Sequence, residues 1–212
     1  MKRELRYGII GAGSMGREHI ENIKVMGGAA VTALSDPHVP SQDAALAMAP
    51  GAKVFSDHRA LLDSGLVDAV VIATPNDTHA AVLKDALATD LAVFVEKPLA
   101  TTVEDLKSIL AWDEKRSAMT WMGLEYRFMP PVAEAIARAQ EGDAGKIHQV
   151  SIREHREPFY PKVDNWNRFA ERTGGTLVEK CCHYFNLMDI IIGEQPIRVF
   201  ASGGQSVNHL DE

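Results

Sequence analysis

Cysteine is scarce in this chain: only Cys181 and Cys182 occur. Neighbours in sequence are poorly placed to bridge each other, so no disulfide framework supports the fold and a reducing, cytoplasmic setting is expected. Long apolar runs are missing too, and none approaches the roughly 20 residues that a membrane-spanning helix needs. The apolar stretch at 7–12 is short, broken by glycine and followed by Arg17 and Glu18, which does not fit a secretory signal. Basic residues are outnumbered, with 22 Lys and Arg against 29 Asp and Glu and a net charge of -7. Nucleic-acid binders concentrate cations to displace counterions from phosphates, so neither a nucleic acid nor a membrane is expected as a partner. Internal repeats, low-complexity tracts and flexible linkers are also missing.

What remains is an ordinary globular composition, 46% hydrophobic and 24% charged over 212 residues, enough for one large or two small domains. Apolar runs of strand length recur at 7–10, 30–34, 67–73 and 91–95. The last two are continuous rather than alternating, as in strands buried on both faces. Helical patterns lie between them: Val82, Leu83, Ala86 and Leu87 follow Asn76, and Leu106, Ile109 and Leu110 follow a Thr101–Glu104 capping box. Strand and helix alternating over about 120 residues imply right-handed crossovers and a doubly wound parallel α/β domain, assigned to residues 1–123. Past Gly123 the alternation stops. Residues 124–212 read as a second α/β domain, with a helix from about Val132 to Ala139, strands near 147–155 and 197–201, and one long helix. Two strands rarely stand alone, so this domain is expected to be cut short.

The stretch "YGIIGAGSMGREH" places Gly11, Gly13 and Gly16 between a strand and a helix, with Ser14 and Met15 inside the turn. In such a turn the first glycine permits the tight bend, the second lets the backbone approach a pyrophosphate, and the third lets the helix pack close to the sheet. The helix N-terminus then faces the anion. The following strand, "VTALSD", ends in Asp36, twenty residues beyond Gly16. A carboxylate there bonds the ribose 2'-hydroxyl and repels a 2'-phosphate, so NAD is expected over NADP. A turn or cap role for Asp36 before Pro37 is the competing reading.

With "ATPNDTHA" at 73–80 and "VEKPLA" at 95–100 ending later strands, the chain resembles, over essentially its whole length, the Gfo/Idh/MocA family of NAD(P)-dependent sugar and polyol oxidoreductases. The resemblance implies a Rossmann domain followed by an α/β domain with an open, mostly antiparallel sheet, in a longer chain. The sequence is then a truncated product or a short form. It also implies that Thr74, Pro75 and Asn76 line the nicotinamide half of the cofactor site, with His79 in the next helix. A packing role for His79 competes. Glu96, Lys97 and Pro98 match the family's Glu-Lys-Pro motif, in which the glutamate holds the cofactor region and the lysine reaches the reacting carbon's oxygen. An ammonium in a cleft could stabilise an alkoxide there.

In "GGTLVEKCCHYFNLMDIIIG", Glu179 and His183 are four apart and would share a face if helical. A carboxylate beside an imidazole is an acid–base pair. The family's form is Asp-x-Gly-x-His-x-x-Asp, from which this chain departs at Glu179, Cys181 and Asn186. Zinc is not expected, because Glu179, Cys181, Cys182 and His183 could not all converge from one helix. The cysteines read as small packing residues. By resemblance Tyr126 and Arg127 in "LEYRFMPP" fall near substrate, with an interdomain ion pair the other reading for Arg127, and His155, Arg156, Trp166 and Asn167 fall among substrate contacts, each equally open to a packing role.

The expected function is therefore an NAD-dependent dehydrogenase acting on a CH–OH group of a sugar or cyclic polyol. His183 would accept the proton, Lys97 would polarise the substrate oxygen and Glu179 would orient His183. Two other readings stay open: an NAD-dependent glycoside hydrolase of the same family, and an NAD-binding regulator or inactive paralogue. The resemblance also implies a homodimer or homotetramer.

Overall fold

A computed structural model describes residues 3–155 and 159–204. The chain alternates β1 (Leu5–Ile10), α1 (Ser14–Met26), β2 (Ala29–Ser35), α2 (Val39–Met48), β3 (Lys53–Phe55), α3 (His58–Leu62), β4 (Ala69–Ile72), α4 (His79–Leu87), β5 (Ala92–Glu96), α5 (Val103–Asp113) and β6 (Thr120–Gly123). The strands form one sheet in the order β3-β2-β1-β4-β5-β6, and all five pairings are parallel. This is the doubly wound sheet that the strand–helix alternation predicts.

Successive strand side chains point to opposite faces, which is why the continuous apolar runs serve two cores. Ile10, Ala33, Val70, Ile72, Val93 and Val95 pack with Leu83 and Ile109 on one side. On the other, Ile9, Leu34 and Val71 pack with Ile20, Ile23 and Ala45. The sheet order reverses where β1 lies between β2 and β4. Connections leave β1 and β4 toward opposite faces there, opening a crevice at the strands' carboxyl ends.

The helix N-cap lies one residue later than the Thr101–Glu104 pair suggests. Thr102 has the extended backbone of a cap, its Oγ1 accepts from Asp105 N at 3.1 Å and donates to Asp105 Oδ2 at 2.7 Å.

Beyond β6 come α6 (Pro130–Glu141), α7 (Ala170–Thr173), α8 (Thr176–Glu179) and α9 (Cys182–Ile192). The strands expected near 147–155 and 197–201 are not formed, and among the described residues none past Gly123 belongs to a sheet. A strand persists only where a neighbour takes up its N–H and C=O groups, and these two segments do not pair with each other. Ile197, Val199 and Phe200 are 100%, 84% and 91% exposed.

Leu83 on α4 is wholly buried at the centre of the first core. Replacing it with Ala is expected to cost about 2–5 kcal/mol by lost burial and a residual cavity. Urea denaturation checks this, and a cost under about 1 kcal/mol would mean that the α4 contact is not central to the core.

Candidate active site

The glycine turn is dictated by what surrounds each glycine. Gly11 has φ +91°, and a Cβ there would lie 2.6 Å from the Ala73 carbonyl and 2.7 Å from Thr74 N. A Cβ on Gly16 would meet Gly11 O at 1.9 Å. Gly13 differs: it begins α1 with no side-chain cap, and a Cβ there would meet nothing within 4 Å. The space over Gly13 is thus an open cradle at a helix N-terminus, where main-chain N–H groups have no intrahelical acceptor. Ser14 is exposed beside it and Met15 half-buried. Asp36 closes the turn from the end of β2, with Oδ2 accepting from Ala12 N at 2.7 Å and Oδ1 from His38 N at 2.8 Å. Each oxygen keeps a further lone pair for a ligand.

Thr74 and Pro75 line the crevice half-buried, and Thr78 Oγ1 ties both down, donating to Pro75 O at 2.7 Å and sharing a hydrogen bond with Thr74 Oγ1 at 2.8 Å. Asn76 is buried and its amide donates to Thr173 O at 3.3 Å, joining the sheet domain to the following helices. His79, open from sequence to a cofactor-site or a packing role, is fully buried. Its Nδ1 lies 2.7 Å from Pro98 O and its Nε2 3.0 Å from Thr74 O. It braces two strand ends from behind, and burial lowers its pKa.

Glu96 ends β5 and is held by a residue outside the sequence motifs. His19 on α1 places Nε2 2.7 Å from Glu96 Oε1 and its ring edge against Phe94. His19 falls three residues after Gly16, one turn along the helix, which is the only sequence signal it gives. Next to Glu96, the Lys97 ammonium donates to the main-chain carbonyl of Glu179 at 3.1 Å.

The Glu-Lys-Cys-Cys-His segment is not one helix. α8 stops at Glu179 and α9 starts at Cys182, so Glu179 and His183 do not share a helical face. The carboxylate 3.7 Å from His183 Nε2 is that of Glu125. His183 is 2% exposed, stacks on Tyr126 at 4.1 Å, and its buried Nδ1 has no hydrogen-bond partner among the described residues. Burial, with the Lys97 and Lys180 ammoniums, lowers its pKa to about 4. The imidazole is neutral at physiological pH. Lys180 is buried, lies over the Tyr126 ring at 4.5 Å, contacts its hydroxyl and sits 3.4 Å from Glu154. Burial raises the thiol pKa of both Cys181 and Cys182, as suits packing residues rather than nucleophiles.

The remaining residues named from sequence are spread out. Arg127 lies over Phe128 with its Nε buried and without a hydrogen-bond partner among the described residues. Trp166 and Asn167 are buried. Asn167 bonds its own loop, accepting from Lys162 N at 3.2 Å and donating to Tyr160 O at 2.9 Å, so its amide is spent on structure. His155 is exposed, and Arg156 lies outside the described residues.

Two buried histidines whose pKa values burial lowers make stability depend on pH with a definite sign. Above the ordinary histidine pKa of 6.5 both are neutral in either state. As pH falls below it, the unfolded chain takes up protons that the folded chain refuses, so stability drops until His183 protonates near pH 4. The urea midpoint is expected to fall between about pH 7 and pH 5, and to fall less in His183→Gln. An equal fall in both proteins would mean that His183 is not held neutral.

Residues 5–124 match the family model for the NAD-binding Rossmann fold of the Gfo/Idh/MocA oxidoreductases, and residues 137–212 match that for their C-terminal alpha/beta domain. Inositol 2-dehydrogenase of Rhizobium meliloti (strain 1021) is 30% identical over 198 residues, 93% of this chain and 58% of the relative. Inositol 2-dehydrogenase of Leifsonia xyli subsp. xyli is 36% identical over 162 residues, 75% of this chain and 47% of the relative. The crystal structure of myo-inositol dehydrogenase from Lactobacillus casei, in complex with NAD(H) and myo-inositol, superposes with a TM-score of 0.62 at 33% identity, over 65% of this chain and 42% of that one. The chain thus spans about half to three fifths of the length of these relatives. It belongs to the Gfo/Idh/MocA oxidoreductase family.

Proposed function

We propose that the chain binds NAD in preference to NADP and that its crevice oxidises a secondary alcohol of a sugar or cyclic polyol. The observation that carries this is the bond from Lys97 to the Glu179 carbonyl. It draws the Glu-Lys-Pro turn and the Glu-Lys-Cys-Cys-His segment, 82 residues apart, into one crevice beside a neutral His183.

The residues present fit a dinucleotide. The open cradle over Gly13 admits a pyrophosphate against the α1 N-terminus, and Asp36 offers its remaining lone pairs to ribose hydroxyls while opposing a 2'-phosphate. The polyol reading leans on the relatives, which carry the name inositol 2-dehydrogenase.

NAD bound there supplies the acceptor for the two electrons lost by the alcohol. Lys97 turns its ammonium from the Glu179 carbonyl to the substrate oxygen and stabilises the negative charge that develops there. His183 takes the hydroxyl proton on a ring nitrogen. Its Nε2 lies 3.7 Å from the exposed Glu125 carboxylate, while Nδ1 is buried. Tyr126 fixes the ring plane by stacking. Glu179 contributes the carbonyl that parks Lys97 at the mouth of the site.

Calorimetric titration of the purified chain is expected to show saturable NAD binding, with NADP weaker by about tenfold or more. Gly13→Ala is expected to keep the melting temperature and lose about tenfold or more in NAD affinity, since its methyl enters open space that the cofactor needs. Lys97→Ala is expected to bind NAD as the parent does and to lose about 100-fold or more in turnover of inositols and related polyols. Equal binding of NAD by Gly13→Ala, or full turnover by Lys97→Ala, would refute the corresponding assignment.

A further inference from the structure

Lys162 lies outside every motif discussed above, yet its side chain ends at the glycine turn. Its Nζ is 3.2 Å from Ser14 Oγ, 148 residues away, and 5.8 Å from the centre of the Trp166 ring. Ser14 is the first residue of α1, immediately after the open cradle at Gly13.

The loop that carries Lys162 is built to aim it. Asn167 accepts from Lys162 N and donates to Tyr160 O, buried Trp166 anchors the loop, and Asp164 and Asn165 take left-handed backbone, φ 53° and 52°. Left-handed conformations in residues other than glycine carry strain and need the surrounding structure to hold them.

Burial lowers the pKa of this ammonium, and Lys97 adds repulsion, while Glu179, Glu96 and Glu18 attract it. Glu96 is engaged by His19, its Oε1 2.7 Å from the His19 Nε2. A partly desolvated cation favours an anion in the adjoining space. That space is the cradle over Gly13.

We propose that Lys162 reaches across from the second domain to neutralise the pyrophosphate of the dinucleotide held at the glycine turn, clamping the two parts of the chain over the cofactor. This rests on the dinucleotide reading given above. Asn167, in turn, is a positioning residue that fixes the Lys162 main chain.

The test uses calorimetric titration of the purified chain and Lys162→Met with NAD and with ADP-ribose, which keeps the pyrophosphate and lacks the nicotinamide, at about 50 and about 500 mM NaCl. The variant is expected to lose about tenfold in affinity for both ligands at low salt. Its affinity should also depend less on salt than the parent's, because the screened charge is gone. Lys162→Arg is expected to keep most of the affinity, and matching thermal melts show that the variants are folded. Unchanged ADP-ribose affinity and an unchanged salt dependence in Lys162→Met would overturn the proposal. A raised KM for polyols with unaltered dinucleotide binding would also overturn it and assign Lys162 to the substrate. If the folded parent chain binds neither ligand, the dinucleotide reading itself falls, and this inference with it.

Discussion

The close approach of β1 to β4 governs the site. A Cβ on Gly11 would lie 2.6 Å from the Ala73 main chain, so the turn leaving β1 and the turn leaving β4 touch backbone to backbone. That contact exists because the sheet order places β4 beside β1 and not beside β3, with the intervening strands wound to the other side. From it follow the crevice at the strand ends, the cradle over Gly13 and the path of Thr74 and Pro75 along one wall. The His79 ring then lies between Thr74 O beyond β4 and Pro98 O beyond β5, its N–H donating to one of the two carbonyls. Three consecutive neighbours in the sheet are thereby fixed at their carboxyl ends before any ligand arrives.

The charge of the molecule and the charge of the site have opposite senses. The chain carries a net -7, which would repel an anionic dinucleotide over long range. The crevice answers with local cations: Lys97 and Lys162 face it, the α1 N-terminus adds the positive end of its dipole, and Lys180 lies behind Tyr126. At contact distance a single ammonium outweighs a diffuse field that salt screens within about 10 Å. The same cations act on His183. Each opposes a positive imidazolium, and burial opposes it further, so a group that would be half protonated near neutrality in water is held ready to accept a proton. In the proposed function, cofactor binding and the protonation of His183 draw on one cluster of lysines.

The sheet domain was legible because its signals are local. The glycine spacing, Asp36 twenty residues on, and two continuous apolar runs each arise from steric or burial demands within a few residues. β3 has only three residues, too few to show a pattern, and the cap of α5 was ambiguous between Thr101 and Thr102 because adjacent threonines offer the same hydroxyl. The second domain was far less legible. Apolar alternation at 147–155 signals a strand, but a strand is a property of two segments, and no described segment pairs with this one. In the site, Lys97 and His183 stood out by residue type within their motifs. His19, Glu125, Lys162 and Lys180 did not, since each owes its position to contacts formed across tens of residues.

The departures from the family motif follow a structural logic. In a continuous helix Glu179 and His183 would face the same way, and the carboxylate would raise the imidazole's basicity. Here the helix breaks between them, and the main-chain carbonyl of Glu179 turns to Lys97. The acid nearer His183 is Glu125, which belongs to the turn after β6 and is far more exposed. An exposed carboxylate at 3.7 Å stabilises an imidazolium weakly, because water screens it. The ring is therefore governed by burial and by lysines rather than by a paired acid. A base of this kind gives up proton affinity, which favours return of the proton to the substrate oxygen in the reverse direction. In the proposed alcohol–ketone interconversion, the ammonium of Lys97, and not a strongly basic histidine, would lower the cost of the developing alkoxide.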